Sequence, residues 1–215
     1  SSVLGVANTL RHIGMDPNRL LIDVGIDPAT LCKTDQRVSI AALSEMISHA
    51  VDSELGPLFG LKFAKNVHAT TYHSYGLMLL SAPTLRQFCQ QLARYYSWVS
   101  TNKSVTFEIN GDTAQLIYHC QNEPKDTPIA HLARVSGWAA TWVRLLRMAV
   151  SPNYCPKLIE FSSPTPLGFD EDYQKYFGCH PQFDDEVNAL CFDSAVLDHP
   201  LPGGNAKLSR ICERQ

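Results

Sequence analysis

Two places set a histidine beside a cysteine, His119-Cys120 and Cys179-His180, and these have the plainest capacity for metal or nucleophile chemistry. Zinc takes imidazole and thiolate ligands, usually four in a tetrahedron. His119 and Cys120 fall in a stretch of alternating polarity, where neighbours point to opposite faces, so neither pair holds an ion alone and only the two pairs together could. Against that stands the ordinary use of Cys as a small core residue and His as a surface one. The seven cysteines (Cys32, Cys89, Cys120, Cys155, Cys179, Cys191 and Cys212) are odd in number and form no Cys-x-x-Cys motif. That usage fits thiols kept reduced in a cytosol, and no metal or cofactor is expected.

Other catalytic signatures are missing from the sequence: it has no Gly-x-Ser-x-Gly elbow, no phosphate loop, no His-Glu-x-x-His and no dinucleotide glycine pattern. The expectation is a protein that is not an enzyme, with a Cys- or His-dependent hydrolase the weakest reading.

Binding chemistry is easier to find. "HATTYHSY" (68–75) gathers hydroxyls, imidazoles and rings. Such a mixture suits a pocket mouth and equally suits an ordinary loop, and a loop leading into the next apolar helix is the simpler expectation. Further on, His131, Arg134, Trp138 and Thr141 recur at i, i+3, i+7 and i+10, a polar-aromatic stripe along one helix. Facing a cavity, Arg134 would pair with a ligand carboxylate and Trp138 would cover its apolar body; facing water, the stripe is simply the wet side. The candidate effector-binding residues are therefore His73, Tyr75, His131, Arg134, Trp138 and Thr141.

The elements that must position them are well punctuated. Asp16-Pro17 and Asp27-Pro28 each read as an N-cap followed by proline at the first helical position, and Gly25 as a helix stop. Ser39 opens an amphipathic helix to residue 50, with Ile40, Leu43, Met46 and Ile47 inward. In "LSAPTLRQFCQQLARYY" (80–96), Thr84 and Gln87 form a capping box after a turn at Ala82-Pro83, and Leu85, Phe88, Leu92, Tyr95 and Val99 give one buried face. Residues 104–121 alternate about Asn110-Gly111 as an antiparallel hairpin. A long helix over 129–150 carries the stripe beside a core face of Leu132, Val135, Ala139, Trp142, Val143 and Leu146. A short strand (157–161), a helix (170–177) closed by Gly178, and two strand pieces within 181–192 complete the order. The class is α+β: a helix-dominated single domain with a small, mostly antiparallel sheet.

Charge and hydropathy exclude two partners. The net charge is −3 and the pI about 6.2, and residues 1–60 carry four basic side chains against seven acidic ones, so the short N-terminal helices cannot grip a phosphate backbone. The stretch 129–150 is interrupted by Arg134, Arg144 and Arg147 and reads as a core helix, with no membrane partner expected. From Leu201-Pro202-Gly203-Gly204 the composition turns to linker chemistry, and 206–214 begins a fresh helical pattern.

Three passages together resemble one family: 80–96, "YQKYFGCHPQFDDEVNALCFDSAVLDHPLPG" (173–203) and "LLIDVGIDPATLCKTDQRVSIAALSEMI" (20–47). They are similar to the N-terminal, arabinose-binding-like domain of AraC-type transcriptional regulators, in the branch of the ornithine-utilisation regulators, from about Leu10 to Leu208. The resemblance implies an effector-sensing, self-associating domain over 1–202 in a bacterial, cytoplasmic homodimer. It implies that 203–215 starts a linker helix toward a C-terminal helix-turn-helix domain, through which alone DNA is touched. The effector expected is a small molecule, amino-acid-like or an apolar carboxylic acid. The double-sheet sugar barrel of the arabinose regulator does not match a helix-dominated chain, so sugar is not expected. Leu80, Pro83, Thr84, Leu85, Phe177, Gly178, Cys179 and Asn188 match at positions that look architectural. The alternative is a ligand-free dimerisation module.

Overall fold

Five of the described helices start where a short polar side chain takes up a free backbone N–H group. The computed structural model describes residues 2–29, 39–52, 56–120 and 127–214. In chain order it holds helices α1 (Ser2–His12), α2 (Pro17–Asp23), α3 (Ile40–Val51), α4 (Phe59–Lys65), α5 (His73–Leu80) and α6 (Leu85–Arg94). Strands β1 (Lys103–Asn110) and β2 (Thr113–Cys120) follow, then helix α7 (Pro128–Ala149), strand β3 (Leu158–Glu160), helix α8 (Asp170–Phe177), strand β4 (Asn188–Asp193) and helix α9 (Ala206–Glu213). Asp16 accepts from the Asn18 N–H with Pro17 at the first helical position, Ser39 from Ala42, Thr84 from Gln87, Thr127 from Ala130 and Asn205 from Leu208. Each satisfies a donor that helix geometry orphans. Asp27 accepts from the Ala29 N–H; the rest of the helix expected after Pro28, with Cys32, lies outside the described residues.

The sheet runs β1-β2-β4-β3 with antiparallel neighbours throughout. Asn110 pairs with Thr113, leaving Gly111 (φ +60°) and Asp112 as the tight hairpin turn. Of the two strand pieces expected within 181–192, one forms as β4. The other shrinks to a single parallel bridge between Gln182 and Glu160, after which Asp184, at φ +58°, and Asp185 bond to the carbonyls of Ser163 and Phe161 out of ladder register. Residues 188–192 are buried at every position, so β4 lies inside the molecule with both faces covered.

Two apolar clusters share α7. The larger joins α5, α6, the sheet, α7 and α8 through Phe88, Trp142, Phe161, Tyr173, Phe177 and Phe192, all with under 2% of their surface exposed. Each such ring contributes about 2 kcal/mol by leaving water. The smaller packs α1 to α3, through Val3, Leu10, Leu21 and Met46, with Phe59 of α4, against Ala130 and Ala133. Helices α4 and α7 cross where Gly60 meets Ser136 and Gly137; a Cβ on Gly60 would strike the Ser136 hydroxyl and backbone atoms of Ala133 and Gly137. Arginines of α7 act as clips: Arg144 Nε donates to the Val67 carbonyl (2.7 Å), and Arg147 donates to those of Tyr154, Tyr176 and Phe177. No helix among the described residues is long and apolar enough to cross a membrane.

Candidate functional site

The stripe on α7 faces inward. Trp138 is 6% exposed and Thr141 1%, while His131 and Arg134, nearer the N-terminal end of the helix, are half-buried. At 1.5 Å rise per residue the stripe spans about 15 Å from His131 to Thr141. Hairpin and helix bring aromatic partners to it. The Trp138 ring lies against Tyr118 of β2, with centroids 5.0 Å apart. The next residue on the same side, Trp142, stacks on Tyr72 and meets Tyr75 and Tyr96 edge-on at 6.1 and 5.9 Å.

The result is a packed aromatic cluster along the inner face of α7. Tyr75 donates to the Leu92 carbonyl at 2.9 Å and is thereby fixed. Burial pushes the Tyr72 hydroxyl up to about 12, with the neighbouring Thr141 hydroxyl drawing it back, and burial also holds Tyr75 and Tyr96 well above the usual phenol range. Trp138 Nε1, Thr141 Oγ1 and Trp142 Nε1 are buried, yet among the described residues none completes a hydrogen bond of standard geometry. The Thr141 hydroxyl lies beside that of Tyr72 and the Trp142 indole beside Tyr96, so these polar tips face one another across the ring cluster. None of the residues gathered here is Asp or Glu.

Sequence and structure meet unevenly at this site. Tyr75, Trp138 and Thr141 are gathered in the buried cluster. His131 is held by Ser162 at 3.1 Å, itself paired to Asn188, toward the N-terminal part of α7. Arg134 lies between. His73 is exposed and starts α5 with φ +51°. The "HATTYHSY" segment is not a loop: Ala69–Tyr72 forms a 3-10 turn running directly into α5, its backbone drawn in where the Gly76 position touches the Ala69 carbonyl. Sequence reasoning left Tyr72, Tyr96, Tyr118 and Trp142 out of the candidate set, although their rings pack in the same cluster. Tyr118 and Trp142 read as core from their periodicity, and only the polar ends of their side chains distinguish them from ordinary core.

The His-Cys pairs do not converge. His119 is exposed and bonds Thr106 across the hairpin, and no group of three or more His, Cys, Asp or Glu side chains among the described residues is placed to hold a metal ion. A separate polar cleft of about 300 Å³ lies between α6 and α9, lined by Gln87, Gln91, Arg94, Ser209, Arg210 and Glu213 among others. There Gln91 Nε2 donates to Ser209 Oγ (2.7 Å) and Glu213 Oε1 (3.2 Å), so the cleft is a seam already laced by its own side chains.

Comparison with known proteins bears on the family and the fold. The model of the arabinose-binding domain of AraC transcription regulator, N-terminal, matches residues 14–201. The crystal structure of the transcriptional regulator CdpR from Pseudomonas aeruginosa aligns with a TM-score of 0.72 at 16% identity, covering 97% of this chain and 59% of that one. That likeness is one of fold, and the chain spans under two thirds of CdpR. No curated protein matches the sequence.

Proposed function

The chain belongs to the family of N-terminal, arabinose-binding domains of AraC-type transcription regulators, and on that premise we propose that it senses an apolar carboxylic effector against the inner face of α7. The observation that carries this reading is the row of buried polar tips at Trp138, Thr141 and Trp142 beside the rings of Tyr72 and Tyr118, of which Trp138 Nε1 completes no hydrogen bond among the described residues. Arg134 supplies the positive charge for the carboxylate, with His131 beyond it and Tyr75 as a fixed wall; exposed His73 stands outside the set. An amino-acid-like effector is less well served, because none of the described residues gathered here offers a carboxylate to an ammonium group. Sugar hydroxyls, which need acceptors as well as donors, are served no better.

Residues 1–202 are then the sensing body, in the cytoplasm, and 203–215 the start of a linker helix toward a C-terminal helix-turn-helix domain that alone touches DNA. Helix α9 is tied to the sensing body: the Asn205 N–H donates to the Ser81 carbonyl at the end of α5, the helix that carries Tyr75. An effector that prefers one placement of α5 would shift the linker by its differential affinity for the two arrangements.

Thermal melting against a panel of ring-bearing carboxylates tests this. A true effector at a hundredfold over its Kd stabilises the fold by about 2.7 kcal/mol. Arg134→Ala should weaken that response while the free protein still melts cooperatively. A carboxylate whose shift survives Arg134→Ala would remove Arg134 from the site, and a flat panel would remove the reading itself.

A second reading, an effector-free self-association module, is favoured by one feature. Helix α9 buries Ser209 and Cys212 but leaves Leu208 and Ile211 41% and 48% exposed. Such residues commonly seek a partner surface. Sedimentation that depends on protein concentration, together with a flat metabolite panel, would select it.

A further inference from the structure

The sequence reading treats the cysteines as reduced core residues, and Cys89, Cys191 and Cys212 are indeed buried. Cys155 and Cys179 are not: Cys155 is exposed and Cys179 half-buried. Both sit at one glycine. Cys155 Sγ fills the place where a Cβ on Gly178 would stand, and Gly178, at φ +81°, is the left-handed stop of α8 immediately before Cys179. The Cα atoms of Gly178 and Cys179 are about 3.8 Å apart, which brings the Cys155 sulfur to the backbone that carries Cys179.

One side chain clips the two segments together. Arg147 Nε donates to the carbonyl of Tyr154, the residue before Cys155 (3.0 Å). Its Nη2 donates to the carbonyls of Tyr176 (2.8 Å) and Phe177 (3.0 Å), at the end of α8. The Cys155 sulfur is therefore held beside the backbone that carries Cys179 by contacts that neither thiol makes, the close approach a disulfide requires.

We propose that Cys155 and Cys179 form a reversible disulfide when the protein meets a hydroperoxide, fastening the end of α8 to the segment after α7. Exposed Cys155, as its thiolate, attacks the terminal peroxide oxygen, the O–O bond breaks, and the alkoxide or hydroxide leaves to be protonated. Cys155 is then a sulfenic acid. The Cys179 sulfur attacks it, the S–O bond breaks, and the hydroxyl departs as water with the Cys179 proton. Two thiols and one hydroperoxide give one disulfide, one alcohol (water, from hydrogen peroxide) and one water. Burial and nearby Cys155 push the Cys179 thiol up to about 11, against the pull of Arg147, which suits the resolving role better than the attacking one.

Hydrogen peroxide added in small excess to the purified chain is the test. The expected result is an intact mass lower by two hydrogens, a non-reduced proteolytic map joining the Cys155 and Cys179 peptides, and recovery of the thiols with dithiothreitol. Cys179→Ser should leave a Cys155 sulfenic acid that dimedone captures, and Cys155→Ser should abolish the cross-link. Both are small substitutions at positions with access to solvent, and unchanged melting curves confirm that each variant folds. A cross-link between other cysteines, overoxidation of Cys155 without one, or persistence of the link in either variant would overturn the proposal.

Discussion

Trp142 lies nearly parallel to Tyr72, with ring centroids 5.4 Å apart and an interplanar angle of 24°, and the pair joins the 3-10 turn before α5 to the middle of α7. Tyr75 and Tyr96 close on the same indole from other sides. Truncation here empties a space that four rings share. Trp142→Ala should cost about 4 kcal/mol in urea denaturation, while Trp142→Phe should retain the stacking and lose much less. Near-equal losses for the two would show that the indole nitrogen, not the ring area, carries the stability.

Alkaline titration reads the same cluster. The Tyr72 hydroxyl is held up to about 12 by burial, and Tyr75 and Tyr96 lie well above their ordinary value for the same cause. The folded state then keeps protons that the unfolded chain releases near pH 10. Stability from these groups is fully present below about pH 10 and is lost as the pH rises from there toward 12. Phenolate absorbance near 295 nm should therefore rise in two stages, exposed tyrosines first, the second coinciding with loss of tertiary circular dichroism. A single transition near pH 10 with the fold intact would contradict the burial of Tyr72.

Much of this fold is legible in the sequence because its boundaries are local. Asp16, Ser39, Thr84 and Gly178 each set an end through their own backbone or side chain, and the hairpin follows from alternation about Asn110-Gly111. What was not legible depends on which face is covered. The spacing of His131, Arg134, Trp138 and Thr141 is the same whether the stripe meets water or β2, and only the docking of the hairpin buries Trp138 against Tyr118. The 3-10 turn at Ala69–Tyr72 was hidden for a similar reason, since its tightness comes from contact with Gly76, seven residues on from its start.

The crossing of α4 and α7 makes two glycines unequal. A Cβ on Gly60 would meet the Ser136 hydroxyl and backbone atoms that cannot step aside, whereas one on Gly137 would sit 3.4 Å from the nearest atom, Gly60 Cα. Gly60→Ala should destabilise by about 2 kcal/mol through overpacking. Gly137→Ala should be close to neutral, because the helix gains about 1 kcal/mol of propensity against a tight but ordinary contact. Paired thermal melts check this, and equal shifts would mean that the helices are not as close as described.

Arg147 is the sharpest test of how α8 is held. Its guanidinium serves three carbonyls, of Tyr154, Tyr176 and Phe177, and lies 5.7 Å from the Tyr176 ring centroid. Arg147→Met keeps much of the apolar stem but leaves those acceptors without their charged donor, at a cost of about 3 kcal/mol. Arg147→Lys should rescue little, because an ammonium cannot reach carbonyls on two segments with the geometry of a planar fork. Hydrogen exchange localises the effect: amides of α8 and of residues 151–156 should exchange faster in Arg147→Met, while those of α1 and α3 in the smaller cluster keep their protection. Uniform loss of protection would instead mean that Arg147 supports the whole fold rather than this one junction.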